Sequence, residues 1–285
     1  MQGRRVDTHG GGQHTRRDTM PVRLVIDGEE VTASRHDLLM PLLSRMGIEL
    51  PSLCYRPDLT PYGSCRLCLV QVDRGSRSAI VTACNYPVED GERIITSSPS
   101  LTRLRRLVAG LHLARCPGEP EVRRIAASLG ATGAGLKGQD EDCVLCGLCE
   151  RVCSEIVGAR ALGFGGRGGG RTLGAAFVEA PPECIGCGAC SHVCPTGAIR
   201  MDAAALERMR RLPGSARWCR HALTGLYPGA ICSHSFECST CEVDQRLREA
   251  SAGHPALAAG ETPERFRLLG WWSRTRASDG PEASK

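Results

Sequence analysis

The sequence is poor in aromatic residues and contains no long apolar segment. Phe, Trp and Tyr make up only 4% of the 285 residues, so a large aromatic core is not expected to be the main source of stability. No stretch reaches the roughly 18 apolar residues that a membrane-spanning helix requires. Residues 1–20 are polar, and no apolar segment follows the Arg16-Arg17 pair. We therefore expect a disordered tail there and no secretion signal.

A strong net charge is absent as well. The formal net charge is +5, and the basic residues are scattered along the chain and not grouped beside aromatic residues, which disfavours nucleic-acid binding. Cysteine, in contrast, is abundant, with 17 residues. Without a secretion signal, we expect these thiols to stay reduced in the cytoplasm. There they can bind metal centres that help to stabilise the fold.

Two cysteine runs in the middle of the chain have the same internal spacing. Each reads C-x2-C-x2-C-x3-C, once over residues 143–153 and once over residues 184–194. This spacing is typical of ferredoxins with two 4Fe–4S clusters, in which the fourth cysteine of each run binds the other cluster. The alternative, a pair of zinc ribbons, needs C-x2-C knuckles separated by a longer gap.

We therefore predict a 4Fe–4S cluster on each of two sets of four cysteines. Tetrad A consists of Cys143, Cys146, Cys149 and Cys194. Tetrad B consists of Cys153, Cys184, Cys187 and Cys190.

The region before these runs predicts a small β-rich domain. Val22, Leu24 and Ile26 alternate with Arg23 and Val25, Asp27-Gly28 suits a tight turn, and extended character resumes at Val31. This pattern predicts a β-hairpin. A short helix is expected over Leu38–Met46, capped by Asp37 and ended by a glycine. A hairpin, a helix and then a cysteine loop is the order of a β-grasp ferredoxin.

Four further cysteines follow with the spacing C-x10-C-x2-C-x15-C: Cys54, Cys65, Cys68 and Cys84. Four thiolates on loops suit a 2Fe–2S cluster, in which each iron takes two of them. The plant-type spacing has four residues between the first two cysteines, whereas this chain has ten. A zinc site is the alternative for these ligands.

The residues around these cysteines resemble a known family. Leu53–Leu59, Gly63–Cys68, Thr82–Asn85 and Pro87–Gly91 are similar to the iron–sulfur (diaphorase small) subunit of NAD-linked bidirectional nickel–iron hydrogenases. They also resemble the N-terminal part of the large iron–sulfur subunit of complex I, of NAD-linked formate dehydrogenases and of iron-only hydrogenases. The resemblance extends from about Val22 to Met201.

The sequence departs from that family after residue 100. The family carries a histidine and three cysteines there, which hold a further 4Fe–4S cluster. This chain keeps His112 and Cys116, but the next cysteine is Cys143. One histidine and one cysteine cannot hold a cubane, so we predict that the helix over Leu101–Leu111 is kept and the cluster is lost.

A glycine-rich segment between the two cysteine runs matches a nucleotide-binding pattern. Gly163–Gly168 fits G-x-G-x-x-G, which binds dinucleotides only at a strand-to-helix junction. Further glycines follow the motif and no helix opens. We expect a hairpin turn there and no dinucleotide site.

The C-terminal region holds a third group of four cysteines. After a predicted helix over Asp202–Arg211, these are Cys219, Cys232, Cys238 and Cys241, the C-terminal tetrad, with the spacing C-x12-C-x5-C-x2-C. They could bind another 4Fe–4S cluster or a zinc ion. His221 and His234 could substitute as ligands, although an ordinary surface position is the expectation for each. Apolar residues over Phe266–Trp272 suggest a docking segment.

Taken together, these patterns predict an α+β protein. Its parts are a tail (1–20), a β-grasp 2Fe–2S ferredoxin domain (21–99), a helical linker (100–137), a dicluster 4Fe–4S domain (138–203), a small cysteine-rich module (204–245) and a tail or docking segment (246–285).

The predicted function is electron relay. Clusters with full cysteine ligation offer no open iron to a substrate, and the sequence shows no flavin fold, nicotinamide fold or hydrogen-activating site. The resemblance implies a relay between a flavin/NAD(H) subunit and a hydrogenase or formate dehydrogenase catalytic subunit. Two alternatives remain: a small reductase that uses an open C-terminal cluster, and a zinc-stabilised scaffold.

Overall fold

The computed structural model describes residues 20–133, 135, 138, 141–174, 183–199, 203–224, 226–227, 229–251 and 254–260. The chain divides into two compact units. The first comprises Met1–Glu49 and Leu69–Leu101, and the second comprises Leu50–Cys68 and Thr102–Lys285. In the part of the chain that the structure describes, no helix is long and apolar enough to cross a membrane.

The first unit is built on a five-stranded mixed sheet. Strands β1 (Pro21–Ile26) and β2 (Glu29–Ser34) form one antiparallel hairpin, and β3 (Leu69–Arg74) and β4 (Arg77–Thr82) form another. Strand β5 (Arg93–Ile95) lies between them, parallel to β1 and antiparallel to β3. The resulting strand order is β2-β1-β5-β3-β4.

The first hairpin confirms the predicted alternation and turn. Val22, Leu24 and Ile26 are 3%, 2% and 1% exposed, so one face of β1 lies in the core. Asp27 and Gly28 have φ angles of 49° and 95°, as a two-residue turn of the mirror-image type requires. Pairing of Ile26 with Glu29 closes the hairpin directly after this turn.

Helix α1 (Leu39–Arg45) packs in the first unit close to the predicted position. Gly47, with a φ of 77°, follows its end as expected. The prediction of Asp37 as the cap is wrong, because Leu38 occupies the cap position and makes no side-chain cap bond. The Asp37 carboxylate instead accepts a hydrogen bond of 3.2 Å from the backbone N–H of Ser34. It therefore closes the turn that follows β2.

The second unit contains the long helix α2 (Pro99–Arg115, whose first residues belong to the first unit) and α3 (Pro120–Ser128). Helix α2 confirms the helix predicted over Leu101–Leu111. Two leucines of the apolar pattern that predicted this helix, Leu107 and Leu111, are nevertheless 57% and 51% exposed.

The core of the second unit brings the loop 50–68 together with the helices. Leu53 and Leu67 of the loop, Val122 and Ile125 of α3, and Val152 are all buried in one cluster.

Two short helices repeat the same local structure around the two cysteine runs. Helices α4 (Leu148–Arg151) and α5 (Ala189–Val193) follow Gly147 and Gly188, which adopt φ angles of 76° and 75°. Glycine accepts this left-handed conformation without steric cost. Helix α4 continues as a π-helical turn over Val152–Ile156.

A small hairpin separates the two runs, as predicted. Strands β6 (Gly163–Gly165) and β7 (Thr172–Gly174) pair antiparallel, with a 3-10 turn over Gly168–Gly170 between them. The glycine motif therefore lies in a hairpin and does not join a strand to an α-helix.

The C-terminal part of the second unit contains helices α6 (Ala203–Arg210), α7 (Arg220–Leu223) and α8 (Glu242–Ala250). Helix α6 falls within the range predicted for it. The predicted docking segment, Phe266–Trp272, and the start of the predicted helix at Asp202 lie outside the described residues.

Candidate metal centres

Cys54 and Cys65 lie side by side in the loop 50–68. Their Sγ atoms are 3.3 Å apart, and backbone N–H groups of Cys65 and Leu53 each donate to one of the two sulfurs at 3.4 Å. Thiolates that share one tetrahedral metal at about 2.3 Å would lie about 3.8 Å apart, close to this spacing. The hydrogen bond from Cys54 and burial raise the pKa of Cys65, so holding both as thiolates requires a cation.

The other two predicted 2Fe–2S ligands are also buried. Cys68 lies at the end of the same loop and is fully buried. Cys84 belongs to the first unit, where it sits in a 3-10 turn over Ala83–Asn85 and is likewise fully buried. The hydroxyl of Thr82 donates to the Asn85 side-chain oxygen at 2.5 Å and braces this turn.

Side chains of the second unit hold the loop 50–68 by its backbone. The guanidinium of Arg151 donates to the carbonyl of Cys54 at 2.7 Å and also to that of Thr60. A ring nitrogen of His112 lies 2.9 Å from the carbonyl of Cys65. The charge-assisted hydrogen bonds of Arg151 are stronger than neutral ones. The loop is therefore fixed next to the cysteine run that contains Arg151.

Tetrad A lines a single pocket. Its empty volume is about 580 Å³, part of it open to solvent, and the wall includes the apolar side chains of Val144, Leu145, Leu173 and Ile199. Burial, together with the neighbouring Cys194 and Cys143, raises the pKa of Cys146 to about 11. Mutual repulsion of this kind is what bound iron would relieve.

Cys194 receives hydrogen bonds that favour its thiolate. Burial alone would raise its pKa, but bonds from the backbone of Ile199 and from Thr196 lower it. The Thr196 hydroxyl lies 3.6 Å from the Cys194 sulfur. Donors around a ligand sulfur are one of the means by which proteins tune iron–sulfur clusters.

Tetrad B is also gathered in the second unit. Burial raises the pKa of Cys190 to about 12, and the other members of the tetrad, Cys187, Cys153 and Cys184, act in the same direction. The backbone N–H of Ala161 donates to the Cys153 sulfur at 3.3 Å. The four thiols therefore lie within electrostatic reach of one another.

Two side chains hold the tetrad B loop through its carbonyls. Arg208 donates to the carbonyl of Cys184 at 2.8 Å. The Nε2 atom of His254 lies 2.8 Å from the carbonyl oxygen of Cys187. Its Nδ1 atom accepts a hydrogen bond of 3.1 Å from the backbone N–H of Ala256. Because burial lowers the pKa of His254 to about 4, the ring is neutral at pH 7 and Nε2 is the donor to Cys187.

The C-terminal tetrad lines a pocket of its own, whose empty volume of about 440 Å³ is partly open to solvent. His221 contributes to the wall, but the expectation of an ordinary surface position is wrong for it. His221 is 3% exposed, and its Nε2 lies 2.7 Å from the carboxylate of Asp244. His234 is exposed and lies 3.3 Å from the hydroxyl of Ser233.

Cys116 is packed in the core of the second unit. It is fully buried, and burial raises its pKa to about 12. His112, its predicted former partner, contacts the carbonyl of Cys65, as described above.

None of the 17 cysteines, all of which the structure describes, forms a disulfide. Within the described residues, no three Cys, His, Asp or Glu side chains are arranged to hold one metal ion. Sets of four cysteine thiolates can hold either an iron–sulfur cluster or zinc.

The polar and charged residues that support these sites were not predicted from the sequence. They are Arg151, Arg208, Arg220, Asp244 and His254. The available signals were the position of Arg151 between Cys149 and Cys153 and the position of Arg220 directly after Cys219.

Comparison with known proteins agrees with the cysteine patterns. The profile of the 2Fe-2S iron-sulfur cluster binding domain matches residues 19–99, and that of the 4Fe-4S binding domain matches residues 181–200. The chain therefore contains iron–sulfur domains of both kinds.

Two relatives match about the same share of this chain. The NADPH-Fe(3+) oxidoreductase subunit alpha of Geobacter sulfurreducens is 32% identical over 203 residues, which are 62% of this chain and 24% of the relative. The mitochondrial NADH-ubiquinone oxidoreductase 78 kDa subunit of Neurospora crassa is 28% identical over 205 residues, 62% of this chain and 27% of the relative. The chain is homologous to these proteins but spans only about a quarter of their length.

A solved structure shows a similar fold. A chain in the crystal structure of NAD+-reducing [NiFe]-hydrogenase in the H2-reduced state superposes with a TM-score of 0.54 and 24% sequence identity. The match covers 68% of this chain and 91% of that chain.

Proposed function

We propose that the chain is an electron-transfer subunit with one 2Fe–2S and two 4Fe–4S clusters. The 2Fe–2S cluster would be held by Cys54, Cys65, Cys68 and Cys84, and the two cubanes by tetrads A and B. When bound, such clusters supply one-electron transfer. The observation that carries the proposal is that all four cysteines of tetrad A, drawn from both runs, line one pocket.

The residues of the chain have three tasks in this proposal. Apolar side chains such as Val144 and Leu173 limit water around tetrad A. Backbone N–H groups donate to the sulfurs, as Ala161 does to Cys153. Arg151 ties the loop of Cys54 to the first cysteine run. Short, fixed separations between sites favour electron transfer, which is why a relay needs such ties.

The proposed layout assigns these functions to successive domains. The sheet of the first unit, with β5 between two hairpins and α1 after the first, supports a β-grasp ferredoxin over residues 21–99. A helical linker (100–137), a dicluster ferredoxin domain (138–203), a cysteine-rich module (204–245) and a terminal segment (246–285) would follow.

We further propose that the chain works between other subunits in a cytoplasmic complex. The partners would be a flavin/NAD(H)-binding subunit on one side and a hydrogenase or formate dehydrogenase catalytic subunit on the other. The names of the relatives, which refer to NADPH and NADH oxidoreductases, support the first partner. The likeness to the hydrogenase chain shows a shared fold, so the second partner rests on the sequence resemblance.

The test is purification of the native complex from cells that carry a tagged full-length chain. We expect a flavin-containing partner to co-purify and NAD(P)H to reduce the clusters of the complex, as followed by electron paramagnetic resonance. In the Cys149→Ser variant, the tetrad A signal should be lost. Turnover of NAD(P)H or hydrogen by the isolated, reconstituted chain would instead favour the reductase alternative. A zinc-only protein without acid-labile sulfide would support the scaffold and end the relay proposal.

A further inference from the structure

We propose that the C-terminal tetrad holds an additional 4Fe–4S cluster next to the cluster assigned to tetrad B. The inference goes beyond the relay described above and rests on it only for the assignment of tetrad B. The spacing C-x12-C-x5-C-x2-C repeats neither ferredoxin run, so the case depends on the structure.

The four thiols are gathered although they come from separate segments. All of them line one pocket, whose wall also includes the side chains of Tyr227, Ile231, Phe236 and Val243. Four cysteines that share one partly apolar pocket are a ligand set for a cation-rich group.

We assign a cluster and not zinc to this pocket because tetrad B, to which Arg220 connects it, is already assigned a cluster. The backbone N–H of Phe236 donates to the Cys232 sulfur at 3.2 Å, as is common around iron–sulfur clusters.

Arg220 connects this pocket with tetrad B. Its side chain is 5% exposed and lines the C-terminal pocket. One terminal nitrogen donates to Asp244 at 2.6 Å, and the other reaches the carbonyl of Gly186, between Cys184 and Cys187, at 3.4 Å. Its Nε is buried and has no hydrogen-bond partner among the described residues. A buried donor in this state needs an acceptor, which a sulfur of a bound cluster would supply.

Asp244 fixes the position of Arg220. It is 1% exposed and accepts hydrogen bonds from Arg220, from Arg248 at 2.5 Å and from His221 at 2.7 Å. The arginine charge is thereby held between the two tetrads. If both clusters are bound, this arrangement would permit one electron to pass from one to the other, with no bond formed or broken.

The first experiment counts iron in the full chain after anaerobic reconstitution with ferrous iron and sulfide. Four clusters require about 14 iron atoms per chain, and three require about 10. We expect about 14, and the Cys238→Ser/Cys241→Ser variant should lose about four iron and four sulfide while keeping the other spectroscopic signals. The buried control Cys116→Ala should lose none.

The outcomes distinguish this inference from the relay proposal. The inference is overturned if the wild-type chain holds about 10 iron atoms and variants of tetrad A and tetrad B each lose iron. The relay proposal would then remain intact. Zinc bound at the C-terminal tetrad, removed by Cys238→Ser/Cys241→Ser without loss of iron, also overturns it. Absence of iron from tetrads A and B would instead contradict the relay.

The second experiment tests the placement of Arg220. Because a positive charge stabilises the reduced state of a neighbouring centre, Arg220→Gln should lower the reduction potentials of two 4Fe–4S clusters and leave those of the 2Fe–2S cluster and tetrad A unchanged. Arg208→Gln, the matched control, removes the contact with the carbonyl of Cys184 in tetrad B and should affect only one cluster. Unchanged potentials in Arg220→Gln would overturn the proposed adjacency.

Discussion

Arg151 donates a hydrogen bond of 2.7 Å to the carbonyl of Cys54, although the two residues are 97 positions apart in the chain. Arg151 lies between Cys149 of tetrad A and Cys153 of tetrad B. It is 5% exposed and also contacts the carbonyl of Thr60. One side chain therefore ties the loop 50–68 to the first cysteine run.

Replacement of Arg151 by alanine should loosen this tie. Loss of charge-assisted bonds to buried carbonyls costs about 1.5–3 kcal/mol each, so we expect a lower melting temperature and a weaker 2Fe–2S signal. The exposed Arg124→Ala, which breaks only a surface pair with Glu121, should change neither. An unaltered 2Fe–2S signal in Arg151→Ala would contradict the assigned role.

His112 should act as a support for the loop and not as a ligand. Its ring nitrogen lies 2.9 Å from the carbonyl of Cys65, so His112→Ala should leave the iron content unchanged and cost about 1 kcal/mol of stability. Iron analysis and chemical unfolding measure the two effects. Loss of about four iron atoms would show that His112 is a ligand.

The β-sheet offers a matched pair of isoleucines. Ile94 in β5 is fully buried, whereas Ile80 in β4 is 46% exposed. Ile94→Ala should lower the free energy of unfolding by about 2–5 kcal/mol because it leaves a cavity in the core. Ile80→Ala should stay within about 0.5 kcal/mol of the parent. Equal effects in urea unfolding would show that β5 is not central to the first unit.

The carboxylate of Asp244 should be essential for the C-terminal part of the second unit. Burial by itself would raise its pKa, but hydrogen bonds from His221, Arg220 and Arg248 lower it well below the usual range. Asp244→Asn leaves the buried guanidinium of Arg220 without a counter-charge, so we expect a loss of about 3–5 kcal/mol. Glu242→Gln on the same helix breaks only an exposed pair with Arg246. It should leave thermal unfolding unchanged.

Cys116 should be nearly inert in the folded chain. Burial raises its pKa to about 12 from the ordinary 9.0, so at pH 8 its thiolate fraction falls about a thousandfold. Iodoacetamide should label it only after unfolding, as peptide mass spectrometry would show. Because the folded-state pKa is the higher one, its contribution to stability is present below pH 9 and is lost as the pH rises toward 12. Labelling of the native protein at the rate of an exposed thiol would contradict its burial.

Local patterns in the sequence predicted much of the fold. The β1–β2 hairpin followed from alternation over a few residues and from the turn at Asp27-Gly28. The position of α1 was also predicted from local residues. Its cap was predicted wrongly, because the Asp37 carboxylate accepts a hydrogen bond from the backbone of Ser34. The cysteine sets could be proposed because ligand spacing within each run is short.

The supports of the sites could not be predicted, because they depend on contacts distant in the chain. Nothing in the residues around Arg151 indicates that the carbonyl of Cys54 lies beside it. The sequence predicted a surface position for His221, because Asp244, which contacts it, belongs to another helix. Tertiary packing decided the burial of these polar groups.

The pocket of tetrad A has a consequence for biosynthesis. Three of its cysteines come from the first run, but Cys194 comes from the second. During translation, the ribosome exposes the first three long before the fourth. A stalled or truncated chain that ends before Cys194 would therefore offer an incomplete ligand set. Insertion of the cluster proposed for tetrad A would have to wait until the second run has been synthesised and folded.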